Sequence, residues 1–353
     1  MSASLLEVRD LEASYRSSGA RLPFSRHPTW PVVHGVSFTL DAGETLALVG
    51  ESGSGKTTIA RTIAGLITPT AGEVRFEGHP IASSIERRSK DLHRQIQFVF
   101  QNPDSSLNPR RRISSILGRP LKHFFKLSER STRKRIDELL EDVHLDPRYA
   151  RRFPAQLSGG ERQRIAIAQA LAAEPKVVLC DEVVSALDVS VQAAILDLLR
   201  ELQAKRRVSY LFITHDLAVV RWLAHRVVVL YRGRVMETGT AEEVFSPPFH
   251  PYTEMLLRSV PDPGSKVLLA GEESPSGREA NPPGIGCPFA QPCPRHLGSV
   301  CDEVAPPWRQ TSDIHAYLCH IPPAELQRDQ EITLLERREV RGDGATTVPP
   351  EVR

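Results

Sequence analysis

Several things are missing from this sequence, and each absence excludes a class of protein. No apolar run approaches the roughly 20 residues that a helix needs to cross a bilayer. A membrane partner, if there is one, is therefore expected to be a separate polypeptide. The opening MSASLLEVRD lacks the basic-then-apolar pattern of a secretory signal. Charge of one sign is not in excess either: 45 Lys and Arg face 43 Asp and Glu, a net charge of +2. With that balance and no basic tract, nucleic acid is not expected as the main partner. Sustained heptads, which would mark coiled-coil arms, are absent as well. Cysteine is scarce, at 5 in 353 residues, and no two cysteines show the C-x2–4-C spacing of zinc pairs. In a soluble, cytosolic chain the thiols are expected to serve as metal ligands rather than as disulfides. At roughly 150 residues per domain, the length suggests two domains.

The richest stretch is Gly50 to Thr58, GESGSGKTT. The apolar run ETLALV leads into it, and Ile59, Ile63 and Leu66 follow at helical spacing. Strand, glycine-rich loop and helix in that order form the setting of the phosphate-binding loop G-x-x-x-x-G-K-[ST]. Gly50, Ser52, Gly53, Ser54 and Gly55 let successive N–H groups turn inward as an anion nest at a helix N-terminus. Lys56 is expected to reach the β- and γ-phosphates, and the hydroxyl of Thr57, followed by Thr58, to hold Mg²⁺.

Upstream, residues 5–9 and 36–40 alternate like strands of a half-buried sheet. The polar segment 16–31 between them is expected to be a loop insertion. Tyr15, at the end of the first strand, is placed either to stack on an adenine ring or to serve as a sheet aromatic. Downstream, EVRFEG continues the strand pattern, and the charged residues 82–95 are expected to be helical or irregular. IQFVFQ then forms a short strand ending in Gln101, whose amide can both ligate Mg²⁺ and orient water. Ser128 is expected to cap a helix with Ile136, Leu139, Leu140 and Val143 on one face.

The run QLSGGERQRIAIAQAL places Ser158, Gly159 and Gly160 at a helix N-terminus, where the dipole and exposed N–H groups favour an anion. Next comes the strand VVLCDE. An acid at its end, Asp181, can hold Mg²⁺, and the second, Glu182, can polarise an attacking water. SALD, ending in Asp188, turns into a helix with Val191, Ile195, Leu198 and Leu202 on its buried face. The strand SYLFIT delivers His215.

In order and rough spacing, GESGSGKT, Gln101, LSGGE, VVLCDE, SALD and His215 resemble an ATP-binding-cassette (ABC) ATPase over about residues 5–260. The resemblance implies an α/β fold: a RecA-like P-loop NTPase core with an antiparallel β subdomain and a helical signature subdomain. It further implies a head-to-tail dimer, with itself or a paralogue, that sandwiches ATP between one phosphate loop and the partner's LSGGE. Tyr15 is then assigned to adenine, Gln101 to Mg²⁺ and water, Asp181 to Mg²⁺, Glu182 to the general base and His215 to the γ-phosphate. Asp188 would communicate between the two sites.

SSLNPR, SALDVSVQA and FHPYTEMLLRSVP narrow the resemblance to the peptide and nickel importer ATPases, and the segment 16–31 is similar to one of their two ATPase types. This implies two separate permease subunits, docked on about Asn102 to Phe125, an extracytoplasmic binding protein acting indirectly, and a peripheral place on the cytoplasmic membrane face. The competing reading is a non-transport cassette ATPase acting on nucleic acid or in translation. Two departures stand out: Val183 and Val184 interrupt the commoner DEPTSALD, and Gln169 replaces the usual Arg of IARAL.

Beyond residue 260, Pro and Gly thicken. Residues 261–325 are expected to form a small irregular lobe, and 326–353 a largely disordered tail. Cys287, Cys293, Cys301 and Cys319, spaced C-x5-C-x7-C-x17-C, fall in a segment too poor in apolar residues to build its own core. Three readings stay open: a [4Fe–4S] cluster, which spread thiolates and the family resemblance both suit; zinc with His296, His315 or His320; and plain thiols. The distance along the chain from the ATP motifs suggests a structural role.

Overall fold

The computed structural model describes residues 4–16, 29–258 and 285–340. In the first half of the chain these form β1 (Leu6–Arg16), β2 (Thr29–Leu40), β3 (Thr45–Val49), α1 (Lys56–Ile63), β4 (Ala71–Phe76), β5 (His79–Pro80), α2 (Lys90–Gln95), β6 (Ile96–Val99), α3 (Ile113–Phe125), α4 (Glu129–Asp142) and α5 (Gly159–Leu171). The second half adds β7 (Val177–Asp181), α6 (Val189–Arg206), β8 (Ser209–Thr214), α7 (Leu217–Leu223), β9 (Arg226–Tyr231), β10 (Arg234–Thr240), α8 (Ala241–Val244), α9 (Pro251–Arg258), α10 (Ser299–Glu303), β11 (Trp308–Gln310), β12 (Ala316–Leu318) and α11 (Pro323–Val340).

Two sheets organise these elements. An antiparallel sheet runs β2-β1-β4-β5, and an eight-stranded sheet runs β11-β12-β10-β9-β3-β8-β7-β6. From β6 to β9 the large sheet is parallel, and β10, β12 and β11 continue it antiparallel. Strand alternation sends successive side chains to opposite faces. Leu46, Leu48, Leu179, Leu211, Ile213, Val228 and Leu230 therefore join one core with α1 and the antiparallel sheet. From the other face, Val178, Cys180, Tyr210 and Phe212 join the helical core of α3 to α6. Each fully buried large apolar side chain in these layers contributes about 1.5–3 kcal/mol.

Most of the expected elements are present. Ser128 caps α4, accepting the Ser131 N–H at 3.3 Å, and Ile136, Leu139, Leu140 and Val143 are buried. Leu66 is a small correction: α1 stops at Ile63, the chain turns at Gly65, and Leu66 is exposed. The insertion is also shorter than 16–31. Arg16 pairs with Thr29 and Ser14 with Pro31, because the two strands extend towards each other; residues 17–28 lie outside the described residues.

The C-terminal segment departs furthest from expectation. Its described part, from residue 285, is not a separate lobe. β12 pairs with β10, Glu237 opposite Tyr317, so the segment extends the cassette's own sheet. Cys287, Phe289, Ala290 and Cys301 pack with Ala47, Val49, Val227, Val229, Tyr231 and Tyr252. The segment has too few apolar residues for a large core of its own and instead completes the core over the β3–β9 end of the face whose β7–β8 end the helices α3 to α6 cover.

A buried carboxylate fastens this layer. Glu237 on β10 is fully buried, accepting from His315 Nε2 at 2.8 Å, from the His250 N–H at 3.0 Å and from the Thr253 hydroxyl. Burial pushes its carboxyl up, and the His315 hydrogen bond opposes that shift. Burial likewise lowers His250 to about 3, so its neutral ring accepts the Tyr252 N–H at 2.9 Å.

The tail expectation is corrected for 326–340, which continues α11; 341–353 lie outside the described residues. Leu326 is buried beside Tyr317, Cys319 and Ile321. Gln330, 1% exposed, bonds both backbone groups of Phe249 and reaches Glu254 at 3.2 Å. These contacts supply the ordering that the tail's composition does not.

Candidate functional site

The phosphate loop sits between the C-terminal end of β3 and the start of α1. Gly50 is required there on two counts. Its φ is +150°, and a Cβ would stand 2.0 Å from the Leu230 carbonyl. Lys56 is 4% exposed, and its Nζ donates to the carbonyls of Gly50 (2.6 Å) and Glu51 (2.7 Å) and to Ser54 Oγ (3.3 Å). Burial pulls its pKa down, opposed by the charges of Glu182, Asp181 and Glu51. A buried ammonium held only by neutral oxygens is poised for an anion.

Thr57 Oγ1 donates to Asp181 Oδ1 at 2.8 Å. Burial raises the Asp181 carboxyl, and the Thr57 bond works against that. A hydroxyl and a carboxylate in contact beside a phosphate nest fit Mg²⁺, which takes one or two protein oxygens and fills its shell with phosphate and water.

The three expected catalytic side chains meet. Gln101 Nε2 donates to Glu182 Oε2 at 2.7 Å, and His215 Nδ1 lies 3.2 Å from Glu182 Oε1. Glu182 takes a φ of +47°, uncommon for a side-chain-bearing residue, and its N–H bonds the Ile213 carbonyl at 3.0 Å. That strain points the carboxylate out of the strand towards Gln101 and His215. Here Gln101 contacts Glu182 rather than the Thr57–Asp181 pair. Val183 and Val184, the departures beside it, are buried in the helical core.

Tyr15 is half exposed beside the loop, with its hydroxyl 3.2 Å from Thr58 Oγ1. Trp30, its register partner on β2, is 66% exposed. Sequence reasoning missed this second aromatic because it lay within the presumed insertion.

Ser158, Gly159 and Gly160 open α5 as expected. Ser158 Oγ accepts the Glu161 N–H at 3.3 Å, and Glu161 Oε2 accepts the Ser158 N–H at 2.7 Å. A Cβ at Gly160 would press within 2.6 Å of Val191 Cγ1, so the signature helix packs directly on the start of α6. Asp188 caps α6, accepting the Val191 N–H at 3.0 Å, and that bond comes first among those lowering its pKa. Arg162 of the signature helix pairs with Asp104, just past Gln101, at 3.0 Å.

Among the described residues, no three His, Cys, Asp or Glu side chains group to hold a metal ion. Of the histidines considered for zinc, His296 bonds Asp302 and the Gly298 N–H, His315 bonds Glu237 and Thr311, and His320 Nε2 lies 3.0 Å from the Val304 carbonyl. Cys287, Cys293 and Cys301 share one apolar cluster, where the Cys287 N–H bonds the Cys301 carbonyl at 2.7 Å, and Cys319 lies in a neighbouring one. Burial, added to by the charges of other cysteines, pushes the Cys287 and Cys293 thiols up to about 12. Burial also raises Cys319. Each sulfur accepts a backbone N–H, from Phe289 to Cys287, Arg295 to Cys293, Leu297 to Cys301 and Ile321 to Cys319. No disulfide joins the described cysteines.

A glycine-lipped phosphate loop, a Thr–Asp pair and a bridged glutamate at the ends of parallel strands define a P-loop nucleoside-triphosphate hydrolase. Residues 33–185 match the model of the ABC transporter family, and residues 236–301 match that of the oligopeptide/dipeptide transporter C-terminal region. An oligopeptide transport ATP-binding protein of Bacillus subtilis is 44% identical over 327 residues, covering 90% of this chain and 97% of that protein. A putative peptide import ATP-binding protein of Brucella abortus is 45% identical, covering 89% and 92%. Among solved structures, cbiO1 of Clostridium perfringens, part of an ABC transporter complex, superposes with a TM-score of 0.59 at 30% identity, covering 69% of this chain and 90% of that one. A dimeric ATP-binding cassette bound to ADP and Pi gives 0.57 at 29% identity, covering 67% and 98%. The chain belongs to the ABC transporter ATPases and carries the C-terminal region of the oligopeptide/dipeptide group.

Proposed function

We propose that this chain is the ATP-hydrolysing subunit of a peptide importer. The observation that carries this reading is the joining of a cassette ATP site to the oligopeptide-type C-terminal region in one packed unit. Glu182 acts as the base towards water, Gln101 and His215 orient it and sense the γ-phosphate, and Thr57 and Asp181 hold Mg²⁺. Tyr15 takes the adenine. The Ser158–Gly160 helix end and Asp188 serve the nucleotide held mainly by a second cassette, a copy or a paralogue. Closure of that pair on ATP and its reopening after hydrolysis drive separate permease subunits. Among the described residues no helix is long and apolar enough to cross a membrane.

The permease is proposed to dock on the segment after Gln101. A groove of about 1420 Å³ opens there between α3 and α4, lined by Arg111, Arg119, Arg133 and Arg151, with Glu129 and Asp137 as its acids. Gln169, the departure on α5, also lines it, so the groove touches the signature helix directly. The excess of arginine suits an acidic segment. Arg119→Glu with Arg133→Glu is expected to lose most co-purifying permease while ATP binding stays as in the unmodified chain. Affinity capture from detergent-solubilised membranes checks this. Two polytopic membrane proteins should accompany the unmodified chain, and recovery of nuclease-sensitive nucleic acid instead would favour the competing non-transport reading.

The four sulfurs are further proposed to hold a [4Fe–4S] cluster. N–H donors aimed at every sulfur favour thiolate, as in metal–thiolate sites. Protein purified without oxygen is expected to be brown, and substitution of any one of the four cysteines by serine should bleach it. Colourless protein containing zinc would overturn iron, and metal-free protein with an ordered C-terminal segment would overturn the site.

A further inference from the structure

The motif HPYT, residues 250–253, identifies the group to which the chain belongs but has so far no role at the ATP site. The structure shows what lies behind it. Tyr252 is fully buried, and its hydroxyl accepts the N–H of Glu51, inside the phosphate loop, at 2.9 Å. The peptide unit that carries this N–H also carries the Gly50 carbonyl, which accepts from Lys56 Nζ at 2.6 Å. In a trans peptide the N–H and C=O point in opposite directions. One rigid plane is thus held by Tyr252 on one side and by the phosphate-seeking lysine on the other. Gly50 has no slack to escape this grip, with the Leu230 carbonyl against its α-carbon.

Tyr252 is itself immobilised by the C-terminal segment. Its ring centroid lies 5.2 Å from that of Phe289, two residues beyond Cys287, and 4.8 Å from Tyr231. Phe289 meets Tyr231 edge-on at 5.1 Å. On its flanks, Thr253 and the His250 N–H are tied to buried Glu237. The tyrosine is therefore a stiff strut from the cysteine-bearing layer to the back of the nucleotide cradle. The cysteine-bearing layer, far from the ATP motifs along the chain, thus reaches the phosphate loop in space through Tyr252.

We propose that Tyr252 is a positioning residue for the phosphate loop, and that the C-terminal layer sets nucleotide affinity through the contact of Phe289 with Tyr252. Preorganisation is the physical basis: a cradle already held in the binding conformation loses less entropy when phosphate enters. The inference rests on the nucleotide-site reading, so wild-type binding of MgATP is measured first, and its failure would count against that reading alone.

The test uses the full chain, a fluorescent ATP analogue and competition by ATP and ADP. Tyr252→Phe keeps the ring and removes one neutral hydrogen bond to a half-buried N–H that water partly replaces. It is expected to raise Kd about 3- to 10-fold, equally for ATP and ADP, with little change in Tm. Phe289→Leu should raise Kd in the same direction and lower Tm as well. The double variant should bind no more weakly than the weaker-binding single variant, since both act through one contact. Wild-type Kd in Tyr252→Phe, or fully additive losses, would overturn the proposal. Should that variant fail to fold, hydrogen exchange at the Glu51 amide of the wild-type chain decides: slow exchange supports the strut, and exchange at the rate of an exposed loop overturns it.

Discussion

Glu182→Gln is expected to lower ATP turnover by about 10²–10⁴-fold while leaving nucleotide binding in place. The amide keeps the size and shape of a side chain that Gln101 holds at 2.7 Å and His215 approaches at 3.2 Å. It loses the lone-pair basicity needed to take a proton from water. The strained backbone at residue 182, with φ of +47°, is unchanged by the substitution, so the amide stays aimed at the same point. With hydrolysis stalled, MgATP should hold two cassettes together, seen as a shift to dimer by gel filtration. Wild-type phosphate release in this variant would remove Glu182 from the role of base.

Lys56→Ala is expected to weaken MgATP binding by at least about 100-fold, on the scale of two lost charge-assisted hydrogen bonds. Lys56 spends its charge on three neutral oxygens of its own loop. That arrangement leaves a buried ammonium with no charged acceptor among its direct hydrogen bonds, and the phosphate chain supplies one. Titration calorimetry checks the loss. Ser158→Arg provides the contrast. It removes a helix cap of about 1 kcal/mol and places a bulky cation at the helix end proposed above to serve a second cassette's nucleotide; on that proposal monomer binding should survive while hydrolysis stops. If the isolated monomer stopped binding ATP in Ser158→Arg, the shared-site arrangement would be wrong.

Local chemistry was readable one residue at a time. The phosphate loop, Thr57, Asp181, Glu182 and the Ser158 cap each depend on neighbours within a few positions, so spacing alone located them. Leu66 misled because helical periodicity continues past the point where a glycine turn ends the helix. Trp30 was hidden because strand pairing across 17–28 cannot be read from composition. Gln169 and Arg133 line one groove only after α3, α4 and α5 have packed.

By itself the sequence determined the class of enzyme, the order of the main strands and helices as far as β8, and the place of the phosphate loop, since those follow from short-range pattern. Only the tertiary structure decided how residues 285–340 belong to the whole. Whether a Pro- and Gly-rich segment with few apolar residues stands apart depends on what it can cover, and here it covers the side of β3 and β9 that carries Ala47, Val49, Val227 and Val229. Burial on that face orders Phe289 and the cysteines and recruits β12 to β10. It also brings Tyr252 to Glu51 across 201 positions of chain, a contact that no local pattern encodes.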